Sequence, residues 1–183
     1  MNYAVFSDDM QNVLRKMIGK TFKSYECKKT DTNCVYGIVR LNMGTFSIDL
    51  TNNTHSTPFF GEFVNEDISS FACELMDMKS PFFPYEENGI AHQYMIDERV
   101  KAVEIVRDRI TVKNENYEIL MDQALVIHTN CNVYSFYRDW IFGETIMIAV
   151  SKNEMMVPEI NEVKNDWAEN KDEVDIIRNT IAL

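Results

Sequence analysis

Apolar positions along the chain change period near residue 20. In SDDMQNVLRKMIGK, Met10, Val13, Leu14, Met17 and Ile18 fall at the i, i+3, i+4, i+7, i+8 spacing that lines one helix face. Ser7 offers a side-chain oxygen to the first free amides, Asp8 and Asp9 suit the positive end of the helix dipole, and Gly19 accepts the left-handed turn that ends a helix. A short amphipathic helix is expected there. From Thr21 the period drops to two. TFKSYEC, VYGIVRL and TFSIDL, separated by KKTDTN and NMG, predict three antiparallel strands in a meander, with Gly37 marking a bulge or a close packing contact. TNNTHSTP reads as polar loop, and EDISSFACELMD, which satisfies both periods, reads as a strand.

A second strand-rich block contains VKAVEIVRD, RITVK, YEILMD, QALVIHT, NVYSFYRDW and FGETIMIAV, with hairpin turns at KNEN (113–116) and NCN (130–132). ALVIH is apolar at successive positions, which requires cover on both faces of its sheet. The carboxyl-terminal segment offers that cover. After Pro158, a first-turn residue, Ile160, Val163, Trp167, Val174, Ile177 and Ile181 follow a three-four spacing, with Asn170 the polar interruption. A long helix over 158–182, about 36 Å at 1.5 Å per residue, is therefore expected, the alternative being a break at ENKDE with Asp172 capping a second helix.

The expected class is α+β: a predominantly antiparallel β-sheet, a meander or partial barrel, with a short N-terminal helix and a long amphipathic C-terminal helix packed on it. One domain spans 1–183, with strand-rich blocks at 21–76 and 100–150 and a long irregular loop at 77–99. The apolar stripe of the C-terminal helix packs on the sheet or forms a dimer seam, so the chain is a monomer or a homodimer.

With 183 residues, 45% apolar and 26% charged, the chain has enough material for a core without metal or disulfide staples. Its four cysteines form no C-x-x-C pair and its three histidines show no ligand spacing, so neither a metal nor a cofactor is expected. MNYAVFSDDMQN lacks the basic start and apolar stretch of a secretory signal, and the longest purely apolar run is IMIAV. A cytoplasmic protein with reduced thiols and no membrane span is expected, and NNT at 52–54 is then a polar loop rather than a glycosylation site.

The net charge is −11, and residues 51–100 carry nine acidic against two basic side chains. Such a surface repels phosphate backbones, which disfavours direct nucleic-acid binding and favours a basic protein partner. FGE occurs after apolar runs in TPFFGEFV and DWIFGETI, but the flanks do not align at the same offset, so no internal repeat is inferred. Glu62 and Glu144, with Asp139, remain the alternative catalytic set, because two nearby carboxylates can divide acid and base roles or share a metal. Signatures for nucleotide binding and for serine hydrolases are absent from the sequence.

Aromatic and acidic residues interleave between 58 and 98, and SPFFPYEEN sets two phenylalanines and a tyrosine between stiffening prolines. Buried aromatic anchors carry binding energy and surrounding charges steer approach. The expected partner-binding residues are Phe82, Phe83, Tyr85, Glu86, Glu87, Glu62, Glu66 and Asp67. The expected function is a non-enzymatic acidic protein-binding module, an inhibitor or neutraliser of a basic nucleic-acid-binding or toxin-like partner. The alternatives are a carboxylate- or metal-dependent hydrolase or nuclease, and a small-ligand-binding β-rich domain.

Overall fold

A computed structural model describes residues 1–28, 33–60, 65–84, 91–168 and 171–183. Chain order is β1 (Asn2–Ala4), α1 (Asp8–Arg15), β2 (Thr21–Lys28), β3 (Cys34–Tyr36), β4 (Ile38–Asn42), β5 (Ser47–Pro58) and β6 (Asn65–Met76). There follow β7 (Ala91–Val112), β8 (Tyr117–Thr129), β9 (Val133–Arg138), β10 (Thr145–Ser151), α2 (Ile160–Asn165) and β11 (Val174–Ala182). Residues 113–115 and 171–173 are single 3-10 turns.

Local signals place α1 where the periodicity puts a helix. The Ser7 side chain accepts the Met10 N–H at 3.2 Å, and Leu14 and Met17 bury fully. Gly19 then turns the chain with φ +80°, and its N–H donates to the Val100 carbonyl.

The hydrogen-bonded order is β3-β10-β9-β8-β7-β2-β4-β5-β6, antiparallel along the whole path, with β1 added parallel to β8 and β11 antiparallel to β7. The path closes covalently, because β3 and β4, which stand at different places in it, are consecutive in the chain. Gly37, φ +74°, makes the bend between them; its N–H donates to the Glu144 carbonyl and its own carbonyl accepts from Asn52. Only a residue without a Cβ adopts that conformation cheaply, so a glycine in an otherwise strand-like sequence carries the chain from one place in the path to another. Phe22, Val39, Leu41, Val103, Leu125 and Phe136 are among the buried side chains of the main core, which also takes in Leu14 of α1 and, from its two flanks, Phe6 and Met17.

β7 is the spine. Its 22 residues form one continuous strand where the sequence suggests two after an irregular lead-in. Residues 91–99 pair with β2, whereas 104–112 pair with β8 on one edge and β11 on the other. Its first nine residues therefore correct the expected loop at 77–99. Asp97 takes a left-handed conformation, φ +61°, at the bulge opposite Lys23, with which it forms an ion pair. A second bulge lies in β8: Val106 faces Ala124 and Arg107 faces Asp122, so Gln123 has no partner across the ladder.

Two other expectations are corrected. TNNTHSTP is the second half of β5, not loop, and Asn52 is fully buried with its amide donating to the Gly143 and Thr145 carbonyls. The long C-terminal helix does not form, and the α+β description gives way to a mostly antiparallel β-sheet with two short helices. The segment makes the six-residue helix α2, a 3-10 turn and then strand β11, whose nine residues pair with Glu104 to Val112. The physical reason is twofold. Val174, Ile176, Ile177, Thr180 and Ile181 are β-branched and cost little in a strand, and the open backbone edge of β7 needs a partner that a helix cannot supply. Nor does a helix cover ALVIH. Val157, in the irregular stretch before α2, packs against Val106, Ala124, Val126 and Val133 instead.

Candidate functional site

Two neighbouring features flank the end of β9. The first is a groove built on a second apolar cluster, in which Val163 and Trp167 of the α2 region pack against Ile68, Ile119 and Ile141. Phe59 stacks on Phe60 at 4.3 Å and on Trp167 at 5.9 Å between ring centroids, and Phe142 meets Phe59 at 5.9 Å. Trp140 caps this stack edge-on to Phe142 at 5.1 Å, yet leaves half its surface, 50%, in solvent. Glu66 and Asp67, at the start of β6, complete a shallow groove of about 490 Å³ with Phe59, Trp140 and Phe142. Aromatic faces beside carboxylates suit a cation.

The second feature is a cavity of about 240 Å³ between the β8–β9 ladder and α2, lined by Gln123, Tyr137, Arg138, Asp139, Pro158, Glu162, Val163 and Asp166. Arg138 is fully buried: its guanidinium donates to the Asp122 carbonyl through two nitrogens, to the Ser69 carbonyl at 2.8 Å and to the Ser69 hydroxyl, and lies over the Phe71 ring. Burial pulls Arg138 down to about 10, with Asp122, Asp108 and Asp166 opposing the shift, so it stays charged at neutral pH. Beneath it, the buried Asp122 carboxylate accepts from Arg107 at 2.5 and 3.0 Å and from the Phe6 N–H at 2.7 Å.

Burial pushes the Asp166 carboxyl up to about 6, the nearby Asp139 adding to the shift and Arg138 opposing it. A carboxyl raised in the folded state contributes its stability below the unfolded value and loses it as the pH rises through about 6. Asp166→Asn is therefore expected to raise the melting temperature above pH 7 and to leave it unchanged near pH 4, checked by paired thermal melts across that range. Destabilisation that appears only above pH 6 would show that attraction to Arg138 outweighs desolvation.

Glu66 and Asp67 meet in the groove; the other expected residues scatter. Phe82 lies over Arg40, which also donates to the Ser80 and Pro81 carbonyls, while Phe83 is 74% exposed. Arg40 is paired with Asp49, across from Glu74, so these phenylalanines sit some seven residues along the β5–β6 ladder from Asp67, roughly 23 Å. Glu62, Tyr85, Glu86 and Glu87 lie outside the described residues. Of the alternative catalytic set, Asp139 lines the cavity, whereas Glu144 accepts the Tyr36 hydroxyl at 2.5 Å and the Thr54 N–H and hydroxyl. Those three donors hold the Glu144 carboxyl below its usual range, Tyr36 most of all, which suits a structural acceptor between β3 and β5 better than a proton-transfer group.

Among the described residues no group of three or more His, Cys, Asp or Glu side chains is placed to hold a metal ion, and no helix is long and apolar enough to cross a membrane. Sequence reasoning missed Trp140 and Phe142 as groove residues and Gln123, Arg138, Glu162 and Asp166 as cavity residues. The DWIF aromatic pair was a usable signal for the groove; the bulge that singles out Gln123 leaves none. No protein-family model, curated protein or solved structure matches this chain.

Proposed function

We propose that this chain is a non-enzymatic binding module whose acidic aromatic groove takes a basic segment of a partner protein, inhibiting or neutralising a nucleic-acid-binding or toxin-like protein in the cytoplasm. The observation that carries the reading is Trp140, half exposed on a rigid aromatic stack with Glu66 and Asp67 in the same groove. An arginine or lysine laid on that ring gains a cation–π contact and a carboxylate partner together. The overall charge of −11 speeds approach of a basic surface. The exposed Phe83, next to Phe82 in the chain, is a second contact for the same partner: an interface of ordinary size, about 800 Å² on each side, reaches both ends of the β5–β6 hairpin. Glu62, Tyr85, Glu86 and Glu87 belong to the proposed surface by sequence. Four cysteines outside any disulfide fit a reducing compartment.

The test pairs the wild type with the Glu66→Lys, Asp67→Lys double variant and with Trp140→Ala. Partners recovered from native cytosol are identified, purified and titrated against each protein at two salt concentrations. Support requires a basic partner that binds the wild type in a salt-sensitive manner and loses at least tenfold in affinity with each variant. Equal affinity for wild type and double variant, or no basic partner, would overturn the reading.

A further inference from the structure

The cavity beside β9 shares no lining residue with the groove, and its polar lining differs from it. Three carboxylates, from Asp139, Glu162 and Asp166, converge on it from two elements, the end of β9 and the α2 turn. Acidic side chains alone are ordinary surface, but Gln123 is not. It is 1% exposed, it lines this cavity, and its amide nitrogen has no hydrogen-bond partner among the described residues. A buried donor without an acceptor costs about 1–3 kcal/mol, and a fold keeps such a group where a ligand or water completes it.

Gln123 is also the extra residue of the β8 bulge. A bulge re-aims a side chain at the expense of a regular ladder, and it stands next to binding sites more often than elsewhere. Here it places Gln123 against the cavity while its neighbour Asp122 accepts from Phe6 and Arg107. The Arg138 guanidinium attracts Asp166 but offsets only one of the three carboxylates, and its hydrogen bonds go to the Asp122 carbonyl, to Ser69 and to the Met121 sulfur. The negative charge at the rim is left for something else.

We propose that this cavity binds a small organic cation, an ammonium or guanidinium group with a hydrogen-bond acceptor a few bonds away. The cationic end meets Asp139, Asp166 and Glu162, and the acceptor takes the Gln123 amide N–H. About 240 Å³ holds roughly eight waters at ~30 Å³ each, so a molecule the size of an amino-acid ester or amide fits and a nucleotide does not. Val163 and Pro158 supply an apolar wall for its carbon chain. The same chemistry arrives as a free metabolite or as an arginine or lysine side chain at a peptide end.

Isothermal titration of the full chain with arginine methyl ester, agmatine, an arginine-terminated tripeptide amide and the neutral analogue Nα-acetylcitrulline methyl ester tests this. Arginine methyl ester is expected to saturate one site, with affinity at least tenfold above Nα-acetylcitrulline methyl ester and lower by at least tenfold in the Asp139→Asn, Asp166→Asn double variant. Gln123→Leu is expected to weaken arginine methyl ester by several-fold but agmatine, which lacks the acceptor, hardly at all. The relative affinities of ester and tripeptide assign the source. Circular dichroism of each variant confirms folding. Trp140→Ala leaves this binding intact, so failure here and failure of the partner-binding reading remain distinguishable. No saturable binding, equal binding of the neutral analogue, or unchanged affinity in the folded double variant would overturn the proposal.

Discussion

Arg138→Ala is expected to destabilise the fold by about 3–5 kcal/mol, the range for removing a large buried polar side chain and stranding its partners. Among the described residues its side chain is the largest that is fully buried. Its loss leaves the Asp122 and Ser69 carbonyls without these donors, opens a hole over Phe71 and removes a positive charge that attracts Asp166. For a chain of this size that corresponds to a fall of roughly 6–20 °C in melting temperature. Arg138→Met separates the contributions: it restores most of the volume but none of the hydrogen bonds, so it should fall between wild type and Arg138→Ala. Arg138→Lys keeps charge but not the planar fork that bridges Asp122 and Ser69, and should recover only part. Urea titration measures all three, and a change below 1 kcal/mol for Arg138→Ala would show that Arg138 is dispensable to the core.

Local features were legible in the sequence and non-local ones were not. The first helix could be read because its cap and apolar face lie within a dozen residues, and Ser7, Leu14 and Met17 do what their positions imply. KNEN and NCN turn where they were expected to, at the β7–β8 and β8–β9 connections. The C-terminal segment failed because Val174, Ile177 and Ile181 fit a three-four spacing although a strand puts Val174 on the face opposite Ile177 and Ile181, and what decides is the unpaired edge of β7, some seventy residues earlier in the chain. Val163 and Trp167 do bury, as a helix stripe would require, but into the aromatic cluster beneath the groove. Ile177, by contrast, is 59% exposed.

Charge was the harder thing to read. A sequence treats every acid as surface, yet Asp49, Asp108 and Asp122 are buried and meet Arg40, Arg178 and Arg107, each directly across a strand ladder. Each pair cancels, so the net charge of −11 resides in the remaining groups. Glu66 and Asp67 could be picked out because they stand beside aromatic residues in the chain; Asp139, Glu162 and Asp166 come together only through β9 and α2. Gln123 was invisible, because a bulge is a relation between two strands.

The second large effect is expected at the other end of that charge network. Arg178→Ala should cost about 3–5 kcal/mol, because it leaves a fully buried carboxylate without its cation. Asp108 is 0% exposed and accepts from Arg178 at 2.8 and 2.7 Å, while the third nitrogen of Arg178 donates to the Pro158 carbonyl at 2.6 Å. The residue therefore fastens the edge strand β11 to β7 and holds one wall of the cavity. Much of the cost is the stranded charge rather than the bond itself, so the Asp108→Asn, Arg178→Ala double variant should be more stable than Arg178→Ala alone. Hydrogen exchange should show faster opening of amides in 174–182 and their partners in 104–112, with the ring strands β2, β9 and β10 protected as before. Equal stability of single and double variants would mean that Asp108 finds another partner when Arg178 is gone, and that β11 is held by its backbone ladder alone.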